Sequence, residues 1–149
     1  MSTVETMLGI KGHEVFSINS EASVYEAVEM MAEKEVGALI VVSASQRLAG
    51  IISERDYARK VILKNKASRD TKIREIMTRD VVFVDESTSM DTCMSLMSQK
   101  KIRHLPVVRD DKPVGMVTVD DLLKFTIKDQ QIVIAELESY IMEDEGGEG

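Results

Sequence analysis

The sequence predicts a mixed α/β fold (α+β class) made of two strand–helix–strand–strand–helix units. Three observations lead there. One motif occurs twice: Gly50-Ile51-Ile52-Ser53-Glu54-Arg55-Asp56 returns as Gly115-Met116-Val117-Thr118-Val119-Asp120-Asp121. Self-similarity of this kind is the signature of a repeated architecture. The likeness also extends over whole units, since Val15 to Ile18 is answered by Val81 to Val84 at an offset of 66 residues. Finally, 149 residues is one domain's length of chain, so the copies are expected to share a core rather than stand apart.

The first unit opens on the apolar stretch Val15 to Ile18. Ser23 with Glu26 has capping-box spacing, and Val24, Ala27, Val28 and Met31 then recur at i, i+3, i+4, i+7, one apolar stripe on a helix. Ala38 to Val42 is a short buried strand, Ser43 to Arg47 a polar turn, and Gly50 to Ile52 lies on the next strand, with a helix starting after Ser53. Lys64 to Asp70 is polar and reads as the linker. The second unit repeats the order. Met90, Cys93, Met94 and Met97 form its helix stripe, His104 to Val108 its buried strand, and Asp110-Asp111-Lys112-Pro113 its turn. That turn is one residue shorter, so the offset falls to 65 by Gly115. Pro106 cannot donate to a ladder, which places its strand at an edge or turns its amide position away from a neighbour.

The expected boundaries are a first unit at 8–64, a linker at 65–75, a second unit at 76–128, and a C-terminal helix with an acidic tail at 129–149. The last helix continues through Ile127, Ile134, Leu137 and Ile141, whereas Met142 to Gly149 is acidic and glycine-rich and is expected to lack regular structure.

Net charge is −7, of which Glu143, Asp144, Glu145 and Glu148 supply four charges. This is not the footprint of a nucleic-acid binder, which needs a basic face. A local basic cluster, Arg55, Arg59, Lys60, Lys64, Lys66, Arg69, Lys72 and Arg74, reads as a solvated face with some capacity to attract phosphate. No apolar run approaches the ~18 residues of a membrane span, and the N-terminus lacks a signal-peptide core. The expectation is therefore a cytoplasmic protein without membrane contact. A single cysteine, Cys93, fits a reducing compartment. There is no Cys/His cluster for a metal and no glycine-rich phosphate loop.

The repeated hydroxyl and carboxylate, Ser53 with Asp56 and Thr118 with Asp121, have [ST]-x-x-[DE] capping spacing. A helix start also offers free amides and partial positive charge to a phosphate. The two readings compete for the aspartate, because a carboxylate turned back onto its cap amide cannot also accept bonds from both hydroxyls of a ribose.

Two units of this order, each closed by Gly-apolar-apolar-Ser/Thr-x-x-Asp, resemble the tandem CBS domain, or Bateman module, over about residues 8 to 128. Val36-Gly37-Ala38-Leu39, Ile52-Ser53-Glu54-Arg55-Asp56-Tyr57 and Ile102-Arg103-His104-Leu105-Pro106-Val107 are similar to the small stand-alone bacterial or organellar CBS-pair proteins. The resemblance implies packing about a pseudo-twofold axis and regulatory binding of an adenosine ligand (AMP, ADP, ATP or NAD, or S-adenosylmethionine) between the units, with no metal and no catalysis. It assigns ribose to Asp56 and Asp121 beside Ser53 and Thr118, and phosphate to Arg103 and His104. Ile102, Arg55 and Lys11 are also assigned to the site. Gly37 and Ala38, at the positions equivalent to Arg103 and His104, would admit a flat base but supply no charge, so the two clefts are expected to be unequal. A homodimer is implied, with Tyr57, Ile62, Leu122 and Phe125 as its candidate face, and a regulated protein reached in trans. The alternative is a structural dimerisation module with degenerate ligand sites.

Overall fold

The computed structural model describes residues 2–148, with side chains described through 127 and at scattered positions as far as 139. In chain order the elements are α1 (Val4–Lys11), β1 (Ser17–Asn19), α2 (Val24–Lys34), β2 (Ala38–Val42), β3 (Leu48–Ser53), α3 (Glu54–Tyr57) with a π-helical turn at Ala58–Ile62, α4 (Ile73–Ile76), α5 (Met90–Lys100), β4 (His104–Arg109), β5 (Lys112–Thr118) and α6 (Val119–Glu148). β1 pairs in parallel with β2, and β2 pairs antiparallel with β3. In the second unit β4 and β5 pair antiparallel. Both antiparallel pairs carry a register shift at matching places, Val41/Val42 and Val107/Val108.

The two central helices begin alike. The Glu26 N–H donates to Ser23 Oγ at 3.1 Å while the Glu26 carboxylate accepts the Ser23 N–H at 2.8 Å, closing the expected capping box. Ser89 caps α5 by accepting the Thr92 N–H at 3.0 Å. They also end alike, on left-handed residues Glu35 (φ 55°) and Lys101 (φ 54°). Their apolar stripes face two cores. One gathers Ile18, Val24, Ala27, Met31, Leu39, Val41 and Ile52, the other Met90, Cys93, Met97, Leu105, Val107, Val117 and Leu122.

The first strand of the second unit is reduced to one bridge, Val84 to Val107. Pro106 is the cause. In the first unit the Ile40 N–H donates to the Phe16 carbonyl at 3.1 Å. Pro106 stands where Ile40 does, 66 residues on, and has no N–H to give. Only the bonds from Val84 N–H to the Pro106 carbonyl and from Val108 N–H to the Val84 carbonyl survive there.

Two short helices were not anticipated, and each packs against the unit it does not precede. α1 leads into the first unit, yet Val4, Met7 and Leu8 are buried in the second core. α4 leads into the second unit, yet Ile73, Ile76 and Met77 are buried in the first. They are repeats of one another. The Val4 N–H donates to the Thr88 carbonyl and the Ile73 N–H to the Ala22 carbonyl, and the Glu5 and Arg74 N–H groups go to Glu86 and Ser20 in the same way. The segment expected to be a linker is thus partly core, and Thr71 within it is buried. The exchange ties the two units together through their cores.

α6 runs to Glu148, so the backbone of the acidic tail continues the helix that was expected to stop before it. Extending an existing helix costs far less than nucleating one, and Glu and Met are good helix formers. The side chains of Ile141 and of the tail lie outside the described residues.

Candidate functional site

The pseudo-symmetry creates two clefts, each walled by both units. In each unit the helix following the last strand is tied to the start of the buried strand. The Glu54 N–H donates to the Gly37 carbonyl at 3.0 Å, and the Val119 N–H to the Arg103 carbonyl at 3.2 Å. The side chains at these strand starts then face the opposite unit. The first cleft, about 460 Å³, has Ser53, Glu54, Arg55 and Asp56 of the first unit on one side and Lys101, Ile102, Arg103 and His104 of the second on the other. The second cleft, about 300 Å³, sets Met116, Thr118 and Asp120 of the second unit against Glu35, Val36, Gly37 and Ala38 of the first, with Lys11, Gly12 and Phe16 closing one end. Gly37 and His104 line both, and a Cβ on Gly37 would stand 3.9 Å from His104 Cε1. They are the shared wall.

Arg103 and His104 therefore reach across to the motif of the first unit. Arg103 lines the cleft of Ser53 and Asp56, and His104 lines both. Burial pushes the His104 imidazole below its usual range, and the neighbouring Arg103 and Lys11 charges push in the same direction.

Both aspartates cap their helices. The Ser53 N–H donates to Asp56 Oδ2 at 3.0 Å and the Asp56 N–H to Ser53 Oγ at 3.2 Å. The Thr118 N–H donates to Asp121 Oδ2 at 2.8 Å and the Asp121 N–H to Thr118 Oγ1 at 3.2 Å. Each carboxylate also holds a lysine. Lys60 Nζ lies 3.1 Å from Asp56 Oδ1, and Lys11 Nζ lies 2.7 Å from Asp121 Oδ2. The ribose assignment made from the resemblance thus meets carboxylates already engaged by their own caps and by lysines. Of the two, Asp56 uses both oxygens, whereas Asp121 Oδ1 accepts no bond among the described residues.

Lys101, Thr78 and Glu35 line these clefts and were not singled out from the sequence, and Lys60, named there only within the basic cluster, holds Asp56. Thr78 Oγ1 reaches Asp56 Oδ1 at 3.5 Å, and Thr78 is held by reciprocal backbone bonds with Ile51. Two signals were available: Lys60 follows Asp56 at i+4, and Lys101 stands 66 residues after Glu35. Of the basic cluster between Arg55 and Arg74, only Arg55 lines a cleft, while Lys60 bridges Asp56 and the Ile76 carbonyl. Lys72 and Arg74 pair with Glu21, and Arg69 lies over the Tyr25 ring at 3.9 Å. The buried Cys93 thiol, pushed up to about 11 by desolvation, is an inert core group.

The sequence matches the family model of the CBS domain twice, over residues 10–63 and 73–128. It is 38% identical over 126 residues to the mitochondrial CBS domain-containing protein CBSX3 of Arabidopsis thaliana, a match covering 82% of this chain and 61% of that protein. The chain thus spans about three fifths of that relative. Among solved structures it resembles a signal-transduction protein with CBS domains from Burkholderia ambifaria, at 42% identity and a TM-score of 0.80, covering 87% of this chain and 96% of that one. It also resembles the CBS domain pair of MJ0100 crystallised with 5′-methylthioadenosine and S-adenosyl-L-methionine, at 29% identity and a TM-score of 0.78, covering 87% and 98%. No helix among the described residues is long and apolar enough to cross a membrane.

Proposed function

The chain belongs to the CBS-domain family as a tandem pair, and from that premise we propose that it senses adenosine nucleotides in its inter-unit clefts and signals in trans to a partner protein. One observation carries the reading: a hydroxyl and carboxylate from one unit face Lys101, Arg103 and His104 of the other across a cleft of about 460 Å³. That volume lies within the range of roughly 300–1,000 Å³ typical of small-molecule sites. A nucleotide there would lay its ribose along Ser53 and Asp56, displacing Lys60, and point its phosphate at Lys101 and Arg103. The adenosine ligands of MJ0100, a relative of the same fold, support this class, with AMP, ADP, ATP or NAD as its members. We read the role as regulatory rather than enzymatic on the strength of the CBS family to which the chain belongs. The lone buried cysteine suits a reducing compartment, the cytoplasm in our reading.

Calorimetry with AMP and adenosine tests the assignment. Arg103→Ala is expected to weaken AMP by about 1.5–3 kcal/mol, the worth of a hydrogen bond to a charged group, and to leave adenosine essentially where it was. Equal losses for both ligands would place Arg103 in structural support. If neither ligand binds the parent protein, the reading fails and the alternative takes its place. That alternative, a dimerisation module with degenerate clefts, draws on the self-satisfied capping boxes, but gives no reason for three cations on one cleft.

The proposal includes a homodimer, with its face redrawn. Leu122 is buried in the second core, and Tyr57 and Phe125 are half-buried against the cores. Exposed apolar residues among the described ones include Leu123, Ile127, Ile134 and Leu137 on α6, Met94 on α5, and Ile62 and Leu63 near the π-helical turn, with Ile10, Tyr25 and Phe83 elsewhere. Met94 and Leu123 flank an apolar groove between α5 and α6. A C2 pairing would cover it. Leu123→Glu would bury a charge at the seam and is expected to give monomers in analytical ultracentrifugation. A parent protein that sediments as a monomer at micromolar concentration, with and without AMP, ends this part of the proposal.

A further inference from the structure

Pseudo-symmetric positions around the two clefts carry opposite charge. Glu35 and Lys101 stand 66 residues apart in the same left-handed cap conformation, with φ 55° and 54°. One lines the second cleft and the other lines the first. Arg55 and Asp120 stand 65 residues apart, each the second residue after its repeated hydroxyl, and they too divide between the first cleft and the second. Arg103 faces the first cleft where its counterpart Gly37 offers no charge to the second.

The balance follows. The first cleft sets Arg55, Lys101 and Arg103 against Glu54 and Asp56, and Asp56 already holds Lys60. The second sets Glu14, Glu35 and Asp120 against Lys11 alone, and that ammonium is already spent on Asp121 and the Met116 carbonyl. His104 lines both and so does not discriminate between them. A phosphate is drawn to the first field and repelled by the second, and a cation the reverse. The smaller volume of the second cleft, about 300 Å³ against 460 Å³, also suits a ligand without a long phosphate tail.

We infer that the two clefts select adenosine ligands of opposite charge: a 5′-phosphorylated nucleotide in the cleft of Ser53, Lys101 and Arg103, and an adenosine bearing a 5′ cation in the cleft of Thr118, Glu35 and Asp120. This rests on the adenosine reading above and adds the specificity of each site. It also makes the pair a two-input sensor, since both ligands can be bound at once.

The probes are AMP, adenosine and 5′-amino-5′-deoxyadenosine, whose ammonium replaces the phosphate. By calorimetry at low salt the parent protein is expected to bind one AMP and one amine per chain, with AMP saturation leaving a full equivalent of amine binding. In the double variant Glu35→Lys, Asp120→Arg a second AMP should bind, and amine affinity should fall at least about tenfold, because the field at that cleft reverses. Both substitutions copy what Lys101 and Arg55 do at equivalent exposed positions, so the backbone accepts them. Two equal AMP sites in the parent, competition between AMP and the amine for one site, or AMP binding with no amine binding would each overturn the inference. Adenosine filling both clefts without regard to 5′ charge removes this inference and leaves the adenosine reading standing. No binding of any of the three probes removes both.

Discussion

Gly50→Ala is expected to destabilise the protein by about 3 kcal/mol, at the upper end of what overpacking a core costs. A Cβ at Gly50 would stand 2.6 Å from the Thr78 carbonyl oxygen and 2.8 Å from Met77 Sδ. The sulfur end of Met77 can turn aside. The carbonyl cannot, because Thr78 is locked to Ile51 by backbone bonds of 3.0 and 2.9 Å in both directions. Relieving the clash therefore means prising α4 and Thr78 off β3, which disturbs the first cleft as well as the first core. AMP binding should weaken in the same variant. Gly9→Ala is the control. It sits in α1 with nothing within 4 Å of its added Cβ, and loses only the entropic penalty of a helical glycine, a gain of roughly 0.5–1 kcal/mol. Urea denaturation decides. A Gly50→Ala midpoint equal to that of Gly9→Ala would mean that Thr78 does not press on β3 as described.

The glycine also shows what the sequence can and cannot display. Gly50 and Gly115 were visible as the first residue of each repeated motif, and the repeat correctly implied the CBS fold, the strands β2 to β5 and the capped helices. What lies against each glycine was not visible. Met77 faces Gly50 and Leu8 faces Gly115, and both come from short helices that pack on the unit they do not lead into. Local periodicity in Val4, Met7 and Leu8 marks an apolar face but cannot say which core it enters. Ile73 and Ile76 were hidden among the charges of Lys72, Arg74 and Glu75. The cleft pairing failed to appear for the same reason. Arg103 crosses to the opposite unit, and Lys11 meets Asp121 across 110 residues, contacts set by tertiary packing alone. Leu122, named from the sequence for the dimer face, is buried in the second core while its neighbour Leu123 is exposed; a helix turning 3.6 residues per turn makes the outward one of two adjacent leucines hard to pick from sequence. Pro106 was flagged as unable to donate, and its consequence, the loss of a strand on its open side, was only half drawn.

Leu8→Ala is expected to cost about 3–4 kcal/mol, in the range measured for truncating a buried leucine where the site cannot collapse. The residue is fully buried, its side chain is pressed against Gly115, and its neighbours Val4 and Met7 are buried with it in the second core. Nothing on the near side can fill the void, since Gly115 has no side chain and β5 is held in register with β4. The damage should therefore appear in the second unit, although Leu8 precedes the first. Native-state hydrogen exchange is expected to show protection lost in α5, β4 and β5 before it is lost in β2 and β3. Lys11→Met separates packing from charge. Its partly exposed ion pair with Asp121 is worth about 0–1 kcal/mol, so stability should barely change, while Asp121 is released toward the second cleft. If α1 were a loose N-terminal segment, Leu8→Ala would leave the unfolding midpoint and the exchange pattern unchanged, and Lys11 would have no fixed anchor from which to hold Asp121. A large loss in Leu8→Ala with little in Lys11→Met instead makes α1 a strap that the second core grips by its leucine and that touches the ligand cleft only through its lysine.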